Sequence, residues 1–387
     1  MPGMIHRRLV LPAAALVTLC VASCATTSGR LDFPQKTPHS WPTVRCTPDN
    51  RGVAGTAQAA IDSLCWESKT GGEAASEPTV SDGRLYFSGH DRRLEVFDAE
   101  NGNRVFRERF DGPVSGTLVG NGAITFLTDQ VEQRAFTYGF GPAGRRLSFP
   151  IPPSACAPRR LTDSTLLVAG LRGMLQSCAA DGRVVWSRET EGPILSTPAL
   201  VDSIIYAASG RTVLAINARN GTEVWQHRST GAVRAAPSVK ERVYFGSSDS
   251  LVYALDPLTG AMVWFASVDG AVATTPVAGP DHVYVAVNDG SVYALRADDG
   301  TEMWRHETGA IANLSPTLSG HRLLVATREG RLLMLDAVSG IMEREQRLRG
   351  PATVSPVVVG ACVFVADTKR RLYCFGPGHS ASNAQIP

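Results

Sequence analysis

Few side chains in this sequence are spaced for chemistry, and the clearest case is a cysteine. Val21-Ala22-Ser23-Cys24 closes an apolar run, Leu9–Leu19, that follows His6, Arg7 and Arg8. The run is too short for a comfortable membrane span, but has the form of an export signal. Small residues before Cys24 suit a signal peptidase, and the thiol of Cys24 is placed to accept a diacylglycerol. Several acyl chains would anchor the mature chain, at roughly 0.8 kcal/mol per buried CH₂. Ala25 after the lipidated cysteine suits an outer-membrane lipoprotein facing the periplasm of a two-membrane bacterium.

The other reactive types are scattered. The eight histidines form no H-x-x-x-H pattern, and no C-x-x-C pair exists, so no zinc site is expected. There is no G-x-S-x-G nucleophile elbow. Gly139–Gly144 lacks the Lys-Ser/Thr of a phosphate loop, and Gly89-His90-Asp91 occurs once, as a turn. Losing Arg7 and Arg8 takes the formal charge from +2 to about zero, and no basic stripe remains, so nucleic acid is excluded as a partner. Six cysteines survive processing at Cys24: 46, 65, 156, 178, 362 and 374. In an exported chain an even number permits disulfides.

The elements that would position these groups come from a repeat. A proline opens each unit at 78, 158, 198, 237, 276, 316 and 356, with steps of 40, 39, 39, 40 and 40 after Pro158. Thr117 takes the place of the proline missing between Pro78 and Pro158. An aromatic four residues after a glycine closes the units: Gly102/Phe106, Gly182/Trp186, Gly221/Trp225, Gly260/Trp264 and Gly300/Trp304. Phe149 falls one residue late, and Arg344 after Gly340 is a degenerate copy. Each unit has room for four short strands of alternating character with glycine-bearing turns, which predicts an all-β, eight-bladed propeller of four-stranded antiparallel blades.

After Pro356 only three strands fit, but Ile61–Glu67 has the form of an orphan fourth strand, and Trp66 lies 40 residues before Phe106. The N-terminal strand is therefore expected to complete the last blade and close the ring, removing exposed edges. On that model Cys65 and Cys374 face each other across the closure, with Cys362–Cys374 as the rival pair. The expected organisation is a signal peptide over 1–24, a flexible tether over 25–59, the propeller over 60–376 and a disordered tail over 377–387.

Ala254-Leu255-Asp256-Pro257-Leu258-Thr259-Gly260-Ala261-Met262-Val263-Trp264 resembles the A-x-D-x-x-T-G-x-x-x-W signature of PQQ-like propeller repeats, with weaker copies at Ala215–Trp225 and Ala294–Trp304. The resemblance covers about residues 60–376. It implies that the tryptophans, Trp66, Trp186, Trp225, Trp264 and Trp304, dock neighbouring blades. Among lipid-anchored members the chain is most similar to the BamB family of outer-membrane barrel assembly factors. That likeness implies a monomeric, non-catalytic scaffold without a cofactor, which binds envelope proteins such as the barrel-forming BamA. Better-known members carry Asp-x-Asp before a Thr-Thr-Pro, where this chain has Ala271-Val272-Ala273, so no partner-contact residue is carried over. Two other readings stay open: a binding module for polysaccharide or peptide, and a quinoprotein oxidoreductase. The second would need an acidic and amide calcium site. Asp256, Asp298, Asp299 and Asp336 instead fall in repeat turns, and no Cys-Cys pair is present to stack on a quinone. The irregular second unit, with its long Tyr138–Gly144 turn, is a candidate recognition loop.

Overall fold

The computed structural model describes residues 47–54, 58–120, 123–128, 133–139, 146–154 and 156–377. Cys24, Cys46, the residues read as signal peptide and the tail from 378 lie outside them, as does most of the long turn of the second unit. The described chain forms eight four-stranded antiparallel sheets, the blades of a β-propeller, numbered here in chain order from blade 1 (79–109) through blades 2 (114–150), 3 (159–189), 4 (199–228), 5 (238–267), 6 (277–307) and 7 (317–347) to blade 8 (357–376 with 63–69). No described helix is long and apolar enough to cross a membrane.

Blade 5 shows how the repeat becomes structure. Its strands are Ser238–Val239, Val243–Gly246, Leu251–Leu255 and Met262–Ser267, from the axis outward. The two middle strands are almost wholly buried, because both faces are covered by adjacent blades. The outer strand alternates, with Trp264 buried and Met262, Val263 and Phe265 exposed. The turn before it places Gly260 at φ +71°, a conformation that costs other L-residues about 1–2 kcal/mol. Hydrophobic clusters run between blades rather than within them. One joins Tyr206, Val213 and Trp225 of blade 4 to Phe245 and Tyr253 of blade 5. Stability is therefore carried by nearest-neighbour interfaces.

Each described tryptophan of the closing column reaches the next blade. The indole N–H groups of Trp66, Trp186, Trp225, Trp264 and Trp304 donate to the carbonyls of Ala99, Ala218, Pro257, Ala297 and Ala337 at 2.9–3.0 Å. Their rings lie against Gly102, Gly221, Gly260, Gly300 and Gly340, where a Cβ would come within 2.6–2.7 Å of the indole. The glycine of each unit therefore serves the tryptophan of the unit before it. Phe149, out of step in sequence, takes the same place: it pairs with Ala135 and lies against Gly182. Thr117, standing in for the missing proline, bonds Thr79 through paired hydroxyls at 2.6 Å.

The ring closes as the register predicts. Ser63–Lys69 pairs antiparallel with Arg371–Gly376 and completes the last blade. Trp66 then docks on blade 1 through Ala99 and Gly102. The largest apolar cluster lies at this seam and joins blades 7, 8 and 1. Glu67 receives Arg371 and Arg349, and Gln346 Nε2 donates to Ile61 O at 2.7 Å.

Residues 47–54 fall in the stretch expected to be tether, yet they are bonded into the ring. Leu200 N donates to Pro48 O at 2.7 Å and Val239 N to Asp49 O at 2.9 Å. Ala54 N and Leu318 O, and Leu318 N and Gly52 O, exchange bonds of 2.8 and 3.0 Å. The segment thus crosses the innermost strands of blades 4, 5 and 7.

Candidate functional site

Residues just before the column prolines end the crossings from an outer strand to the next inner strand. With Asn50 they line a cavity of ≈ 290 Å³. Its wall includes Ala75-Ser76-Glu77, Leu195-Ser196-Thr197, Arg234-Ala235-Ala236 and Asn313-Leu314-Ser315. The wall is held by bonds between adjacent units: Thr197 Oγ1 accepts from Ala157 N at 3.1 Å and Ser315 Oγ from Thr275 N at 3.0 Å.

Asn50 lines the cavity and is fully buried, whereas Leu195 is 46 % exposed and Arg234 is also exposed. The cavity is therefore a funnel with Asn50 at its floor and these residues at its rim. The floor is fixed by a buried arginine. Arg159 donates through Nε to Pro198 O at 3.0 Å, and through Nη1 and Nη2 to Thr47 O and Asn50 Oδ1. Asn50 Nδ2 in turn donates to Thr197 O at 2.8 Å. Burial pushes the Arg159 pKa down to about 10, with Asp49 partly opposing, so the guanidinium stays charged at neutral pH.

Chemically the funnel is mild. Among the described residues its lining holds one guanidinium, Arg234, one carboxylate, Glu77, and no aromatic ring. The Ser196 hydroxyl is buried in this wall without a hydrogen-bond partner. A planar, polycarboxylated quinone needs several cations and a flat surface to stack on, so these residues do not fit it. Calcium would need a cage of oxygen ligands, and one carboxylate is not one.

A second grouping is structural. His321, Asp336 and Glu343 bring three ligand-type atoms within 4.8 Å of one another. Each is engaged: Glu343 by Arg322 at 3.1 Å, Asp336 by Ser339 Oγ at 2.7 Å and His321 Nδ1 by Gln58 Nε2 at 2.9 Å. Asp256, Asp299 and Asp336 fold their own turns, and hydrogen bonds from Thr259, Thr301 and Ser339 lower their pKa values.

The residues singled out in the sequence fall in three places. The tryptophans lie between blades, outside the funnel. Cys65, Cys362 and Cys374 come together at the seam. Cys156 and Cys178 are buried apart, and burial raises their thiols to about 12 and about 11. Of the segment around Ala271–Ala273, only Ala273 lines the funnel. Sequence reasoning missed Asn50, Arg159, Glu77 and Ser196. Glu77 had a signal: it is the one charged residue immediately before a column proline.

The outer strands present sheet edges. In seven blades the ladder to the outer strand is broken by a bulge next to the aromatic column. Bulges discourage strand addition. Blade 2 differs: Arg134–Gly139 and Arg146–Pro150 pair without a shift.

Residues 50–134, 153–277 and 288–378 match the family described as outer membrane protein assembly factor BamB, well over half of the 387 residues. The chain belongs to this family. The structure of BamB from Moraxella catarrhalis superposes with a TM-score of 0.71 at 13 % identity, over 81 % of this chain and 99 % of that one. A europium-containing methanol dehydrogenase gives 0.75 at 11 % identity, over 88 % and 98 %. A quinohemoprotein alcohol dehydrogenase from Pseudomonas putida HK5 gives 0.71 at 14 % identity, over 90 % and 81 %. At such identities the likeness shows the propeller fold, which BamB and these dehydrogenases share. No curated protein sequence matches the chain.

Proposed function

We infer that this BamB-family protein is a non-catalytic scaffold of the bacterial envelope. In this reading it is exported, anchored to the outer membrane through Cys24 and faces the periplasm. The ring binds another envelope protein, a BamA-like component of β-barrel assembly. The observation that carries the reading is the funnel. Its lining runs from buried Asn50 to exposed Leu195 and Arg234 and consists mainly of small neutral groups with hydroxyls. Such a surface suits a peptide segment or loop tip held by a few polar bonds and one cation. It offers no general base paired with a nucleophile or metal. Blade 2 adds a second route, because its regular outer strand is the edge best suited to accept a partner strand.

The test is capture by a defined partner. Purified periplasmic domains of BamA are expected to bind the acylated protein. Leu195→Arg with Arg234→Glu, both at the exposed rim, should weaken that binding by tenfold or more while leaving thermal unfolding unchanged. Binding unaffected by the rim pair would remove the funnel from the interface. BamA-independent behaviour of the native membrane-extracted protein would end the assembly reading.

A further inference from the structure

Three cysteines meet on the last blade, and the repeat does not ask for them. Leu64 pairs with Phe375 and Trp66 with Cys374, so Cys65 is the extra residue of the bulge, set between the partners of Phe375 and Cys374. The same bulge in blades 4, 5 and 6 holds Val224, Val263 and Met303, and the place of Cys374 is taken by Ala215, Ala254 and Ala294. Cys362, paired with Val359, corresponds to Ile204, Arg322 or Arg84 in other blades. No other described blade carries cysteine in any of these three columns.

The thiols also lie together: Cys374 sits on the strand between those of Cys65 and Cys362. A Cβ placed on Gly376 would meet Cys65 Sγ at 2.8 Å and Cys362 Sγ at 3.9 Å, so both sulfurs overhang the same glycine. Cys65 is exposed, while Cys362 and Cys374 are buried. Disulfides need close, facing Cβ atoms. The bulge gives Cys65 that relation to Cys374, whereas Cys362 is its diagonal neighbour across the adjacent pair of strands.

We propose that Cys65, Cys374 and Cys362 form a thiol–disulfide exchange site at the ring closure, entered through Cys65 and resolved by Cys374. The oxidant is a small-molecule disulfide or the disulfide of an oxidoreductase. The Cys65 thiolate attacks one sulfur of that disulfide, forming a mixed disulfide and expelling a thiolate that takes a proton from water. Cys374 then loses its proton to solvent and attacks Cys65 Sγ. The second external thiolate leaves, and a Cys65–Cys374 bond remains. Two protein thiols are oxidised and one external disulfide is reduced to two thiols. Attack by Cys362 on Cys374 Sγ moves the bond inward and returns Cys65 as a thiolate, with no net redox change. The hydrogen bond from Cys374 lowers the Cys65 thiol to about 7, against the opposing effect of its partial burial, so a large share is nucleophile at neutral pH. The oxidised form joins the first and last strands of the ring covalently.

The experiment uses the full mature chain, reduced and then exposed to excess glutathione disulfide at pH 7, with non-reduced peptide mapping. The wild type is expected to yield the 65–374 crosslink. Cys374→Ser should hold glutathione on Cys65 as a stable adduct. Cys65→Ser, an exposed change that leaves the fold intact, should slow glutathione uptake on the peptides of Cys362 and Cys374 by more than tenfold, because both thiols are buried. Cys362→Ser should still form 65–374. The proposal is overturned if folded wild type forms no crosslink among the three, or if Cys65→Ser forms 362–374 at the wild-type rate.

Discussion

Replacing Gly102 by alanine tests what closes the ring. Gly102 has φ +73°, and a Cβ there would lie 2.6 Å from Cδ2 and Cε3 of Trp66. Two costs follow. Holding an L-residue in the left-handed region costs about 1–2 kcal/mol. The Trp66 ring cannot easily yield, because it is buried and its Nε1 is tied to Ala99 O at 3.0 Å. Forcing a methyl into such packing adds about 1–3 kcal/mol, so the expected loss is about 2–5 kcal/mol. Gly83 supplies the control, since its φ is +68° and nothing lies within 4 Å of its Cβ position. Gly83→Ala should therefore show the backbone cost alone. Trp66→Ala should cost about 3–5 kcal/mol through lost burial and the cavity left behind. In that background Gly102→Ala should fall toward the Gly83 value, with only the Ser68 Oγ contact at 2.7 Å remaining, a coupling of about 1–3 kcal/mol in the double-mutant cycle. Urea unfolding midpoints at unchanged m supply the four values. If Gly102→Ala and Gly83→Ala agree within about 0.5 kcal/mol, the contact between indole and glycine is not what sets the closure.

The floor of the funnel and the outer strands give further expectations. Arg159→Met strips partners from Asn50 Oδ1 and Pro198 O, at about 1–3 kcal/mol for each buried acceptor left unpaired. Residues 47–54 should then loosen, and trypsin should cut after Arg51 much faster than in the wild type; equal cleavage would mean that Arg159 does not hold the segment. His227 and His306 have pKa values lowered from 6.5, chiefly by burial. The unfolded chain therefore takes up these protons first, and stability should fall as pH drops below about 6.5 and level off below the folded pKa values. His227→Gln with His306→Gln should flatten the stability curve between about pH 7 and 5, and an unchanged slope would assign it to other groups.

The parts of the molecule legible in the sequence are those that recur. The tryptophan and glycine columns were readable because every interface between blades sets the same steric problem. The closing strand was readable because Trp66 keeps the column's spacing to Phe106. What escaped is aperiodic. Thr47-Pro48-Asp49-Asn50-Arg51-Gly52 has the composition of a linker, yet several of its contacts are backbone bonds to Leu200, Val239 and Leu318, to which composition is blind. Arg159 reads as a surface cation, since arginine is rarely buried without partners. Its partners lie more than 100 residues away in the sequence, at Thr47 and Asn50. The cysteine pairs could be enumerated, but the bulge that sets Cys65 against Cys374 is a property of the ladder.

The same contrast locates function within the ring. A residue that every blade shares answers to the propeller, so a specific partner must be read from positions where blades differ. Three such places exist among the described residues. The positions before the column prolines are mostly small or hydroxyl-bearing, but change to Glu77 in blade 1, Leu195 in blade 4, Arg234 in blade 5 and Asn313-Leu314 in blade 7. The outer edge is bulged everywhere except in blade 2. Among the described residues, three thiols gather only at the seam. The first place lines the cavity, where Leu195 and Arg234 are exposed. Substitutions at Leu195 and Arg234 should therefore alter partner choice before they alter stability.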